Sequence, residues 1–199
     1  MEYPKYKYPV GALHTGSSLG NYRTFARLNS ETNLRGLWGS MDNQHYAGGW
    51  DIEIYVNGKG LTPAETIFTP ESQTTLMSDG QFHAEKQFLL PYSARNPGSE
   101  KLSPLQAAIY LVRFTNPISD HVNLSVRHSL FFPAKNSPEF TKQPSEDQMF
   151  KRMDIRRTDS IFDITTLGKP REARVFGASL QPAECGTDDK ALTLEYRWT

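Results

Sequence analysis

Asp51 and Glu53 stand two residues apart in the stretch Trp50-Asp51-Ile52-Glu53-Ile54. On a strand, that spacing puts both carboxylates on one face with backbones about 7 Å apart. The gap lies near the roughly 6.5–9.5 Å that separates acid from base in inverting glycoside hydrolysis. The simpler reading is the wet face of a strand whose other side carries Trp50, Ile52 and Ile54. His83 and Glu85 repeat the arrangement, an imidazole beside a carboxylate able to do acid/base work on a sugar hydroxyl. This pair supports a mutarotase-like epimerase as an alternative activity, although an exposed strand face explains it as well.

Other chemistry has less support. The histidines at 14, 45, 83, 121 and 128 are scattered, and His128 falls on the apolar side of its strand, so no metal site is expected. No nucleophile elbow of the Gly-x-Ser-x-Gly type occurs, and Cys185 lies in a Gly/Asp/Glu loop with no partner histidine nearby in sequence. Glycines punctuate Val10 to Asn21, but Gly20 is followed by Asn21 and Tyr22, where a phosphate loop needs Lys and Ser/Thr. The expectation is therefore no catalytic residue and no cofactor in this chain.

The segment from Trp38 to Trp50 is the strongest binding candidate. Trp38, Tyr46 and Trp50 offer rings for the apolar face of a sugar, and Asp42, Asn43 and Gln44 offer hydrogen bonds. The competing reading makes both tryptophans strand-end core anchors. The basic cluster Lys151, Arg152, Arg156 and Arg157 reads as a solvated face or a contact with another domain.

Positioning these residues falls to strands. Val122, Leu124, Val126, His128 and Leu130 alternate with polar residues, and Leu192, Leu194, Tyr196 and Trp198 do the same. Ile109 to Phe114 is nearly continuously apolar, as in a strand covered on both faces. With Asn116-Pro117-Ile118-Ser119-Asp120 between them, Leu105 to Pro133 reads as a central hairpin. Asn57-Gly58 and Asp79-Gly80 mark two further hairpins. Met1 to Pro9 reads as an arm, and Leu61 to Pro70, with two prolines, as an edge strand or crossing. Lys135 to Asp159 is a polar excursion, with a turn or two of helix over Glu146 to Arg152. Roughly ten strands without a long amphipathic helix predict an all-β fold, a large antiparallel β-sandwich forming a single domain over 1–199.

Composition narrows the partners. The 22 basic and 22 acidic residues cancel, which leaves no field to attract nucleic acid or a membrane surface. A single cysteine excludes an internal disulfide framework, so the core must supply the stability. No apolar run reaches membrane-spanning length, and no leader is visible; the expectation is a cytoplasmic chain or one exported with its signal removed.

One likeness adds to this reading. Thr69-Pro70, Gln73-Thr74-Thr75-Leu76, Asp79-Gly80 and the strand to Leu90-Pro91 are followed by Ala108 to Asn116, then Val122 to Pro133 and the closing Phe132-Pro133-Ala134. This layout resembles the N-terminal domain of bacterial glycoside hydrolases whose catalytic domain is an (α/α)6 barrel. Pro9-Val10-Gly11 through Leu19-Gly20 is similar to the glycine-rich start of such enzymes, including the β-glucosidases related to bile-acid glucosidase. The likeness spans roughly residues 9 to 134. It implies a galactose-mutarotase-like supersandwich, usually non-catalytic, packed on a helical barrel that holds the acid and base. On this expectation the chain is an accessory domain of a longer carbohydrate-active protein, with the catalytic domain or a carbohydrate as partner. The alternative is a stand-alone carbohydrate-binding module.

Overall fold

The computed structural model describes residues 5–12, 16–21, 23–39, 45–93, 103–104, 107–118, 121–131, 153–159, 161–166, 173–177, 184–187 and 191–198. Their strands, in chain order, are β1 (Tyr6–Pro9), β2 (Ser18–Gly20), β3 (Thr24–Leu28), β4 (Leu34–Gly39), β5 (His45–Ala47), β6 (Gly49–Val56) and β7 (Lys59–Gly60). Then come β8 (Thr62–Phe68), β9 (Ser72–Ser78), β10 (His83–Leu89), β11 (Tyr92–Ser93), β12 (Ser103–Pro104), β13 (Ile109–Thr115) and β14 (Leu124–Phe131). The last are β15 (Met153–Thr158), β16 (Ile161–Thr166), β17 (Ala173–Gly177), β18 (Glu184–Thr187) and β19 (Ala191–Trp198). Among the described residues no helix is long and apolar enough to cross a membrane.

Two antiparallel sheets dominate and do not close into a barrel, so the chain is all-β and sandwich-like. One runs β1-β8-β9-β10-β13; the other runs β18-β19-β14-β6-β4-β3-β2, with β5 and β7 as side branches. A separate three-stranded sheet, β15-β16-β17, holds the described end of the polar excursion. The helical turns expected at Glu146 to Arg152 lie outside the described residues.

Alternation explains which faces meet. Ile52, Ile54, Val56 and Val126 of the large sheet pack on Met77 and Ala84 of the small one, with Phe82 beside them. A second apolar cluster joins Leu19, Ala26, Leu28 and Leu34 to Phe88 and Leu90. Trp50 and Tyr110 touch both clusters, their rings edge to face at 4.6 Å. Asn57-Gly58 makes the turn between β6 and β7 with both φ angles positive, 50° and 79°. Asp79 caps the β9–β10 hairpin by accepting hydrogen bonds from the Gln81 and Phe82 amides.

Three expectations change. The central hairpin does not form: β13 pairs with β10 in the small sheet, whereas β14 lies between β6 and β19 in the large one. The Asn116-Pro117 segment is thus on a crossover between sheets, which uses the same turn residues as a hairpin. The N-terminal arm includes a strand, β1, paired with β8 along the small sheet. That pairing makes β8 an internal strand, and Pro63 is tolerated because the register shifts between Pro63 and Glu65.

Candidate functional site

The proposed sugar platform divides between two environments. Trp38 is 4% exposed and stands across from Phe25 on the side of β4 away from the two core clusters, because its neighbours Leu37 and Ala26 face inward. Its ring lies over Gly36, where an added Cβ would sit 2.0 Å from ring carbon Cη2. Trp50 points the other way, into the space between the sheets, and its Nε1–H donates to Nδ1 of His128 at 3.1 Å. The two rings therefore line opposite faces of one sheet. Tyr46 is described by its backbone, in β5; Asp42, Asn43 and Gln44 lie outside the described residues.

His128 answers the question posed by a histidine on an apolar face. It accepts from Trp50 and stands edge to face with Tyr196 at 5.4 Å. Burial, with a smaller push from the Lys86 charge, lowers its pKa to about 4, so the ring is neutral with Nδ1 free to accept.

Between the two apolar clusters runs a polar belt that sequence reasoning missed. Lys86 is 1% exposed. Its Nζ donates to Asn33 Oδ1 at 2.5 Å and to the Ile52 carbonyl at 3.2 Å. Burial lowers its pKa to about 8. Gln73 donates to the Asn29 carbonyl and the Thr32 hydroxyl, and accepts from Ser17. Thr75 bonds Thr32, and the Tyr110 hydroxyl donates to the Thr32 carbonyl. The belt thus pins the β3–β4 turn, including Thr32 at φ 57°, across to the small sheet. Each polar group named here has a partner, so the belt fastens the fold, with Lys86, Gln73, Thr32 and Thr75 buried at its centre. Its signal was readable: Phe82, Ala84, Phe88 and Leu90 set an inward register that includes position 86.

Asp51 and Glu53 lie on the outer face of the large sheet. Asp51 is ion-paired to Arg35, and Glu53 takes a hydrogen bond from Tyr55. Cross-strand register then assembles what spacing along the chain does not reveal. Glu53, Arg127, Glu195 and Glu184 form one row across β6, β14, β19 and β18. Glu195 accepts from Ser125 at 2.8 Å, Arg197 at 2.9 Å and Arg127 at 3.4 Å, and Arg197 also pairs with Glu184 at 2.7 Å. The Arg197 and Ser125 hydrogen bonds hold the Glu195 carboxyl below its usual range, which suits a fixed anion and not a general acid. Ser129, Thr193, Cys185 and Gly186 complete an open depression of about 450 Å³ over this row.

On the small sheet, His83 and Glu85 also face outward, and Glu85 is occupied by Arg113 at 2.7 Å. The same face of β13 exposes Ile109 (38%) and Leu111 (50%), whereas Tyr110, Val112 and Phe114 pack inward. Apolar on both sides, β13 is covered on one. Among the described residues no group of three His, Cys, Asp or Glu side chains is placed to hold a metal.

No protein-family model matches the chain, and no curated protein matches it either.

Proposed function

We propose that this chain is a non-catalytic accessory domain of a carbohydrate-active enzyme, docking on a helical catalytic domain through the outer face of the five-stranded sheet. The observation that carries the reading is β13, whose Ile109 and Leu111 leave two large aliphatic side chains uncovered on the outer face, Ile109 directly across from Leu89 of β10. The resemblance over residues 9 to 134 supplies the carbohydrate context and the helical partner. The carboxylates of the outer faces support a non-catalytic role, since Asp51, Glu85 and Glu195 are each held by arginine.

The test is the product of the whole gene compared with the 199-residue chain. The chain alone is expected to leave a panel of aryl glycosides unhydrolysed. In the whole product, Leu111→Asp is expected to lower the melting temperature of a linked helical unit while leaving the melting of the chain by itself unchanged. Turnover of any aryl glycoside by the chain, or identical melting of the Leu111→Asp and parent gene products, would overturn the proposal.

A further inference from the structure

We infer that the depression over β6, β14, β19 and β18 is a binding site for a neutral polyhydroxylated ligand, a sugar ring or short glycan. It lies on the outer face of the large sheet, on the opposite side of the sandwich from Ile109 and Leu111, and does not depend on the docking proposal. Its volume, about 450 Å³, falls in the range of roughly 300–1,000 Å³ common for small-molecule sites.

The chemistry of the lining selects the ligand. None of the lining side chains is aliphatic or aromatic, so the depression has no apolar pocket to select an aromatic or aliphatic ligand. The carboxylates of Glu184 and Glu195 are already matched by Arg197 and Arg127, so a bare ion meets charges that are satisfied. What remains open is a mixture of donors and acceptors. Arg127 uses one of its guanidinium nitrogens on Glu195 and leaves the rest of a half-exposed fork, while Ser129 and Thr193, opposite each other on β14 and β19, add two hydroxyls to the same depression. Vicinal hydroxyls, each both donor and acceptor, complement that mixture.

The site is also preorganised. Glu195 is 9% exposed and held by three side-chain donors, and Arg127 rests over the Tyr55 ring at 5.6 Å from its centre. These side chains project from the paired strands β6, β14 and β19 rather than from loops, so little ordering is left for binding to supply. Gly186 borders the depression, and a Cβ there would meet nothing within 4 Å. A large side chain can therefore be introduced at 186 to fill the space without disturbing the fold.

The experiment uses the 199-residue chain on an array of neutral, acidic and amine-bearing glycans, with hits titrated calorimetrically. At least one neutral glycan is expected to bind. Gly186→Trp should weaken that binding at least about tenfold with an unchanged melting temperature, and Thr193→Val, which keeps the shape and removes the hydroxyl, should weaken it severalfold. Absence of any neutral ligand, retention of only amine-bearing glycans, or neutral binding that survives Gly186→Trp would overturn the assignment.

Discussion

Lys86 and His128 both lie on the core side of their strands, and each leaves a mark on stability as pH changes. The folded chain holds Lys86 at a pKa of about 8, against about 10.5 unfolded. Between these values the unfolded chain binds more protons, so stability rises with pH. The full rise corresponds to about 3 kcal/mol. Tyr110 acts oppositely, because burial raises its pKa, and stability falls above pH 10 as the unfolded phenol ionises. Urea denaturation from pH 7.5 to 10 should therefore show increasing stability, and Lys86→Met should abolish the increase. Asn33→Ala should cost more than Lys86→Met, about 2–3 kcal/mol, because it strips an acceptor from a buried charge that remains. His128 sets a second window. Its folded pKa of about 4 lies below the unfolded value near 6.5, so its contribution is complete above pH 6.5 and is lost as pH falls toward 4. His128→Phe should flatten stability between pH 6.5 and 4 while costing about 1 kcal/mol at pH 7, where the Trp50 indole loses its acceptor. An NMR titration of the His128 ring checks the same point directly.

At the scale of elements, alternation fixed faces and turns fixed neighbours only where the turn was tight. The inward sets of β6, β14 and β19 follow from the sequence residue by residue, and Asn57-Gly58 identified its own hairpin because a two-residue loop needs positive φ at both positions. Alternation does not name a partner strand, however. That is why Ile109 to Phe114 and Val122 to Leu130 could be read as a hairpin when each pairs in a different sheet. The same gap hid the outer depression: the polar sides of three strands were legible, but the register that sets Glu53, Arg127 and Glu195 in one row was not. Trp38 was legible as an aromatic and illegible in direction, since its side of β4 depends on the register beside Ala26 and Leu37. Its seat gives a sharp prediction. Gly36→Ala would bring a methyl to 2.0 Å from the indole, so the ring must leave its place. We expect a loss of about 2–3 kcal/mol, in the range of overpacked sites, with a red-shifted tryptophan emission as the ring meets water. Unchanged emission and stability would mean that Trp38 does not rest on Gly36.

For the whole molecule, the balance of faces is what separates scaffold from surface. The large sheet turns ion pairs and hydroxyls outward, as a sheet with one solvated face should, and the small sheet does not follow suit along β13. Among the described strands β13 stands at the end of its sheet, and its outward residues include two large aliphatic side chains. Proteins commonly blunt such an edge with lysine, proline or a bulge. Here Arg113, paired to Glu85, is the single charge on the outward side of that strand. A chain studied without a covering domain should then self-associate through this edge at high concentration. Replacing both exposed residues, Ile109→Lys with Leu111→Lys, removes little buried area from the sandwich and should shift the melting temperature by no more than about 2 °C. Sedimentation of the parent chain should become concentration-dependent, and that of the double variant should remain monomeric. If the parent chain stays monomeric at millimolar concentration, the apolar row on β13 is too small to act as an interface, and the docking face must be sought on the other sheet.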